Sequence, residues 1–419
     1  MARKTRSKAA AQAPPSKKTS SVTDRVAPDT AKNASRRREP TRKKSTIENT
    51  SSRQARQPET RAGVQSSGFP IVGIGASAGG LEAMEELLDH MPADTGMGFV
   101  VVTHQHPAHT SLLPELLGRS TQLKVVEARD GLKVEPNHVY VGPPGGHLAI
   151  YKGTLHRMET NTAEAPKLPI DYFFRSLAED QHQRAICIIL SGTGTDGTVG
   201  LKAIKGESGM VMVEEPQSAK YSGMPASAIA TGLADYVLAP AAMPRQLVAY
   251  ARGPYLREAA PLAEDQHVRN EPMQKILVQL CAHRGNDFSA YKSSTLYRRI
   301  ERRMNIHQIK DYSQYLRYLQ TNAQELDVLF KELLIGVTNF FRDPEAWESL
   351  SKGPFRELLE SRPDGYTIRA WIPGCSSGEE AFSLAIAIRE CLETIKKHFD
   401  FQIFATDVEP QAIEMARAG

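Results

Sequence analysis

Long apolar runs are missing from this chain of 419 residues, and no apolar stretch follows Met1. Helical membrane spans and a secretion signal are therefore not expected, and the sequence reads as a soluble, cytoplasmic protein. Cysteine is scarce. Cys187, Cys281, Cys375 and Cys391 are scattered without a C-x-x-C pair, which argues against a zinc site or a disulfide framework and fits a reducing compartment. Residues 1–68 almost lack large apolar side chains. They carry 17 Lys/Arg against 5 Asp/Glu, although the whole chain is only +4. Such a segment cannot bury enough surface to offset its ordering entropy, so a disordered basic tail is expected. A solvated extension is the ordinary reading. Loose contact with nucleic acid or anionic lipid through Arg36-Arg37-Arg38 and Arg42-Lys43-Lys44, or a transit peptide, are the others. No specific nucleic-acid partner and no membrane insertion are expected.

From residue 70 the pattern changes. Short apolar runs at 71–74, 99–103, 124–126, 138–141, 186–190 and 210–213 alternate with helical spacing at 112–118, 171–180 and 198–205. This predicts an α/β domain over 69–252 with a doubly wound, mostly parallel sheet. Pro143-Pro144-Gly145-Gly146 reads as a local hairpin turn between two strands. An Ala/Pro/Glu-rich linker is expected over 253–272. A small all-helical domain follows over 273–350, with helical periodicity at 273–284, 294–307, 312–320 and 324–334. A strand at 367–372, a Gly-rich turn, a helix at 379–396 and a strand at 401–406 then open a second α/β unit over 351–419. One β-α-β unit cannot complete a parallel sheet, so this unit is expected to be incomplete.

The chemistry concentrates at strand ends. Gly75-Ala76-Ser77-Ala78-Gly79-Gly80 lies between an apolar strand and a helix. A serine at such a turn is pushed out of the sheet edge beside unpaired helix N–H groups, which suits a nucleophile for acyl transfer. His104 ends the strand at 99–103. Asp196 follows the strand at 186–190 through Ser191-Gly192-Thr193-Gly194-Thr195. Ser77, His104 and Asp196 therefore all fall just past strand ends, as nucleophile, base and orienter would require. Backbone N–H groups of Ala78 and Thr193 are candidate oxyanion donors. Three other readings stay open. The serine or Asp196 is a helix cap; His104-x-His106, with His109, is half of a metal site that no second cluster completes; or Gly73-x-Gly75-x-x-Ala78 is a dinucleotide fingerprint, though without an acid at the end of the second strand. No metal is expected.

These residues carry a resemblance. Ile74-Gly75-Ala76-Ser77-Ala78-Gly79-Gly80, Val102-Thr103-His104, and Leu190-Ser191-Gly192-Thr193-Gly194-Thr195-Asp196-Gly197 resemble the CheB family of chemotaxis receptor methylesterases. Pro169-Ile170-Asp171-Tyr172-Phe173-Phe174-Arg175-Ser176-Leu177 and Gly223-Met224-Pro225 are similar to later segments of that family. The resemblance implies Ser77, His104 and Asp196 as a catalytic triad without a cofactor, hydrolysis of receptor glutamate methyl esters, and related glutamine deamidation. The family's usual receiver domain has no counterpart in residues 1–68.

Residues 273–419 resemble the CheR family of receptor glutamate methyltransferases through Arg298-Arg299-Ile300-Glu301-Arg302-Arg303, the segment 338–342, Gly378-Glu379-Glu380 and Ala405-Thr406-Asp407. The resemblance implies a Rossmann-like domain with S-adenosylmethionine held by Thr338, Arg342, Glu379 or Glu380, and Asp407. Gly336 stands where that family often has Asn. Ending at Gly419, the chain is expected to bind this cofactor weakly and not to methylate. Arg298, Arg299, Arg302 and Arg303 share one side of a helix. By default this is a solvated face, and the resemblance implies that it docks a methyl-accepting receptor. A non-catalytic receptor adaptor is the alternative to an enzyme.

Overall fold

Fully buried Val/Ile runs set the centre of the molecule, seen here in a computed structural model that describes residues 68–104, 111–158, 168–257, 266–336, 338–363 and 365–419. The basic tail expected to be disordered lies outside the described residues. The chain forms β1 (Ile71–Ala76), α1 (Gly80–Asp89), β2 (Gly98–Thr103), α2 (Leu113–Arg119), β3 (Lys124–Glu127), β4 (Leu132–Lys133) and β5 (His138–Val141). There follow β6 (His147–Tyr151), β7 (Thr154–Met158), α3 (Pro169–Gln181), β8 (Ala185–Ile189), α4 (Thr198–Gly206) and β9 (Met210–Glu214). The first domain ends with α5 (Gly223–Ala230), β10 (Tyr236–Leu238), α6 (Met243–Ala251) and α7 (Pro254–Arg257).

Among the described residues seven strands form one sheet in the order β10-β9-β8-β1-β2-β5-β3, and every pairing is parallel. Parallel strands are joined by crossovers that cover both faces, so each central strand is apolar on both sides. One core gathers Leu87, Phe99 and Leu247; the other gathers Ile170, Phe174 and Leu201. The chain leaves β1 toward β2 on one side and returns to β8 on the other. In an open sheet of this kind that reversal opens a crevice at the carboxyl ends of the strands.

The Pro143–Gly146 turn departs from expectation. It carries the chain out of the main sheet into a separate antiparallel sheet ordered β4-β7-β6, and the hairpin forms later, between β6 and β7. Lys152 and Gly153 both take positive φ, 52° and 71°, the two-residue turn whose twist matches a hairpin. Asp180 accepts the backbone N–H of both.

The helical domain comprises α8 (Gln266–Arg284), α9 (Ser293–Ile306), α10 (Tyr312–Thr321) and α11 (Ala323–Leu333) around Ile276, Leu280, Ile300, Tyr315 and Leu329. Helix α8 opens inside the segment read as linker and runs through Pro272; the Ala/Pro-rich composition hid it. The last unit holds α12 (Pro344–Lys352), α13 (Pro354–Glu360), β11 (Thr367–Pro373), α14 (Glu379–Ile395), β12 (Asp400–Thr406) and α15 (Pro410–Ala418). Strands β11 and β12 pair in parallel with Trp371 opposite Phe404, and both side chains are exposed.

Candidate functional site

Strand β1 is six residues long and buried throughout. Two of its residues are glycines for a packing reason. A Cβ on Gly75 would lie 2.4 Å from Cγ2 of Ile170, and one on Gly73 would lie 2.9 Å from the Phe174 ring. The Gly-x-Gly spacing thus lets α3 press on the strand, which accounts for these two glycines without a nucleotide. The strand ends at Ala76, and the chain turns through Ser77 and Ala78 to Gly79, whose φ of 73° is left-handed. The Ser77 N–H donates to the Ser191 carbonyl at 3.0 Å, tying the turn to the loop after β8. Gly192 leaves room for the serine, because a Cβ there would lie 2.9 Å from Ser77 Cβ.

Three side chains meet across the crevice. Ser77 Oγ lies 2.9 Å from His104 Nδ1, and His104 Nε2 lies 2.8 Å from Asp196 Oδ2. Asp196 is buried to 2 % exposure and accepts three backbone N–H groups besides the imidazole. Ile170 N reaches Oδ2 at 3.1 Å; Asp171 N and Gly197 N reach Oδ1 at 2.8 Å and 2.9 Å. A carboxylate filled with donors can only accept, so Nε2 carries the imidazole proton and Nδ1 is the free base facing the serine. The role expected if Asp196 were only a cap is also present, though displaced. It caps α3, whose first turn supplies Ile170 and Asp171, and not α4, whose flanking residue is Gly197. Asp171 in turn accepts from Gly200 N at 2.6 Å and so caps α4. Burial pushes the Asp171 carboxyl up, with the Asp196 charge adding to the effect against the Gly200 N–H.

The N–H groups of Ala78 and Thr193 meet no acceptor among the described residues, and both residues are exposed at the crevice. Beside it lies a small hollow lined by Thr103, Pro143, His147, Arg157 and Pro169. His147 stands edge-on to Tyr172, with ring centres 4.8 Å apart. Burial pushes its pKa down, and the Asp196 charge opposes this. His106 and His109, weighed as metal ligands, lie outside the described residues.

The four arginines of α9 are not a solvated face. Arg299, Arg302 and Arg303 are buried and Arg298 is half-buried. Arg299 donates to the carbonyls of Lys205 and Gly206 at the end of α4. Arg302 donates to Ser208 and Gly209 carbonyls, to Glu332 at 2.5 Å and to Asp235. Arg303 grips Glu325 with two donors, at 2.9 Å and 2.7 Å. Lys205 bridges Asp235 and Glu332. The one-sided spacing was real, but the side it defines faces the amino ends of β9 and β10. Polar side chains are expected outside, and only the fold shows that carboxylates and helix-end carbonyls wait there. These arginines are closed to an outside partner in this arrangement.

In the last unit, the first strand leads into Gly374 and Gly378, both at positive φ, 72° and 100°. The N–H groups of Gly374 and Cys375 fold back onto the Thr406 carbonyl at 2.7 Å and 3.0 Å. Asp407 accepts Ser376 N at 2.8 Å and Glu409 N at 2.9 Å, one on each oxygen. A cleft of about 550 Å³ runs past Gly374, Thr406, Asp407 and Val408 to Tyr291 and Leu333–Ile335 of the helical domain. Of the five residues named from sequence, Asp407 lines this cleft. Glu379 is held by the Ser377 hydroxyl at 2.7 Å, Glu380 and Arg342 are exposed, and Thr338 is half-buried. Gly336 is explained by contact: a Cβ would lie 2.7 Å from Ser376 Oγ. The residues fit the ribose end of a nucleoside, since each Asp407 oxygen keeps an acceptor site beside a glycine loop that admits close approach.

With that geometry in place, the comparisons with known proteins divide the chain in the same order. Residues 72–247 match the CheB methylesterase family. Residues 72–247 form a CheB methylesterase domain. Residues 271–334 match the all-alpha domain of CheR methyltransferase, and residues 336–419 match its SAM binding domain. An uncharacterized 104.1 kDa protein of Rhodobacter capsulatus is 35% identical over 327 residues, covering 73% of this chain and 34% of that protein. A protein-glutamate methylesterase/protein-glutamine glutaminase of Geobacter sulfurreducens is 35% identical over 189 residues, covering 43% of this chain and 52% of that protein. The catalytic domain of the CheB methylesterase from Thermotoga maritima is 32% identical, with a TM-score of 0.41, covering 43% of this chain and 98% of that domain. The chain thus spans about a third of the first relative and about half of the second. The methylesterase domain is the seven-stranded unit, and the CheR all-alpha domain is the helical one. Ile170, Asp171 and Ser191 were marked in the sequence only as members of segments that carry the resemblance, and Glu214 not at all, because their partners lie far along the chain.

Proposed function

We propose that the methylesterase domain hydrolyses glutamate methyl esters on a chemotaxis-type receptor by serine catalysis. The observation that carries this reading is the unbroken chain Ser77 Oγ–His104–Asp196, with 2.9 Å and 2.8 Å contacts at the carboxyl edge of the sheet. Ser77 Oγ attacks the ester carbonyl while Nδ1 of His104 takes its proton. Asp196 holds Nε2–H and stabilises the imidazolium. The N–H groups of Ala78 and Thr193 receive the oxyanion. Collapse of the tetrahedral species breaks the bond to the methoxy oxygen, which takes the proton from Nδ1 and departs as methanol, while the acyl group stays on Ser77 Oγ as an ester. Water then attacks that ester under the same base and frees the glutamate carboxylate. A primary amide in place of the ester would release ammonia by the same steps, the glutaminase reaction that the name of the Geobacter relative prints. The chemistry is local to this domain, which favours an enzyme over an adaptor.

Methanol release from a methylated receptor fragment tests the reading. Ser77→Ala should lower it by more than about 10³-fold, and His104→Gln by a similar factor. Release that survives Ser77→Ala rejects it.

The CheR part suggests a second, opposed chemistry. S-adenosylmethionine, when bound, supplies an electrophilic methyl group. Asp407 and the Gly374–Gly378 loop are the residues that would hold its adenosyl end, with Tyr291 closing the far wall of the cleft. The acceptor glutamate is already a nucleophile, so this module's task is positioning.

A further inference from the structure

Glu214 ends β9 at the same sheet edge as Ser77 and is only 1 % exposed. No cationic side chain pairs with it among the described residues, and burial pushes its carboxyl pKa up, against hydrogen bonds from Ser191 and Ser218. A buried acid without a counter-charge is costly unless its hydrogen bonds hold something in place. Its partners show what is held. Oε2 accepts the Ser191 N–H at 2.7 Å, and Oε1 accepts the Ser218 hydroxyl at 3.3 Å. Ser191 is the hub of the site. Its carbonyl accepts the Ser77 N–H at 3.0 Å, and its Oγ accepts the Tyr221 N–H at 2.8 Å. The Tyr221 carbonyl accepts Gly192 N at 2.9 Å, and Gly192 presses against Ser77 Cβ and precedes Thr193.

Resting on the esterase reading above, we infer that Glu214 is a positioning residue of the hydrolytic site, pinning Ser191 so that the nucleophile turn and the Gly192–Thr193 loop stay in register. It touches neither substrate nor imidazole. Its effect falls on the approach of Ser77 Oγ to the carbonyl and on the aim of the Thr193 N–H, which are features of the transition state more than of binding.

The test is methanol release by the full chain with Glu214→Leu, Glu214→Gln and Ser77→Ala. Leucine fills the volume without an acceptor, while glutamine keeps one for the Ser191 N–H. The expected result is a kcat lowered about 10- to 100-fold by Glu214→Leu with KM within about threefold, and kcat restored to within about fivefold of wild type by Glu214→Gln. Labelling of Ser77 by a serine-directed phosphonate should slow in the same order, a readout that needs no receptor. A Glu214→Leu chain with a wild-type circular dichroism spectrum and unchanged kcat and labelling overturns the inference. So does a Glu214→Gln chain as impaired as Glu214→Leu. If Ser77→Ala still releases methanol, the esterase reading itself has failed, and Glu214 falls with it.

Discussion

Asp196 shows how much a single carboxylate can be asked to do. It ends the Ser77–His104 relay and caps α3 through Ile170 and Asp171. Removing it therefore takes away an orienter and a cap together. Asp196→Asn keeps the shape but offers one acceptor oxygen, so methanol release should fall by about 10²- to 10⁴-fold while the thermal midpoint drops by a few degrees. Differential scanning calorimetry beside the activity assay checks both. Gly75 belongs to the same chain of cause. Gly75→Ala sets a methyl 2.4 Å from Ile170 Cγ2, and the helix end that holds Asp196 must move. A loss of about 1–3 kcal/mol in urea unfolding is expected, with reduced activity in the fraction that stays folded. The three candidate residues were legible in the sequence because Ser77 and His104 directly follow apolar strand runs and Asp196 follows one through a short Gly-rich loop. The groups that aim them were not, since the Ile170 N–H, the Ser191 backbone and the Glu214 carboxylate meet partners distant in the chain.

At the scale of elements, parallel strands explain what pattern reading caught and missed. The buried runs of β1, β2, β8 and β9 are almost wholly apolar or small residues and stand out. The β6–β7 hairpin does not, because its strands bury only Leu148, Ile150 and Leu155 and a proline-rich turn precedes it. Its true turn is set by Lys152 and Gly153 at positive φ and by Asp180. Asp180→Ala should free this turn, and hydrogen exchange at Lys152 and Gly153 should rise by about tenfold or more while β1 and β8 stay protected. Helix α4 joins the two halves of the story. Its first turn is fixed by Asp171 beside the triad, and its last carbonyls are capped by Arg299.

For the molecule as a whole, the buried network between the methylesterase and helical domains is the largest departure from the sequence reading. Four arginines at helical spacing cannot reveal by themselves whether they face water or a partner within the chain. Here Arg302 is fully buried between Asp235 and Glu332. Arg302→Met leaves the two buried carboxylates to Lys205 and to the longer contacts of Arg303 and Arg299, and a loss of about 3–5 kcal/mol is expected, read as separate unfolding of the two domains. Acid should act on the same contact. Burial raises Asp235, but Arg302, Lys205 and Arg303 outweigh it and bring it from 3.8 to about 2. Burial likewise raises Glu325, and His307 and Arg303 bring it from 4.5 to about 2. Groups depressed in the folded state stabilise it above their ordinary values and lose that contribution as pH falls toward the folded ones. The docking should therefore hold above about pH 4.5 and loosen between about pH 4.5 and 2, seen as rising hydrogen exchange at α9 and at the amino ends of β9 and β10.

One measurement bears most directly on the central claim that Ser77, driven by His104 and Asp196, is the group that takes the acyl chain. The full chain is titrated with a serine-directed phosphonate, the modified peptide is mapped by mass spectrometry, and methanol release is followed in parallel. The expected result is one label per chain, on Ser77, with release lost in proportion and labelling abolished by His104→Gln. Undiminished release from fully Ser77-labelled protein, or a label elsewhere that alone tracks the loss, would contradict it.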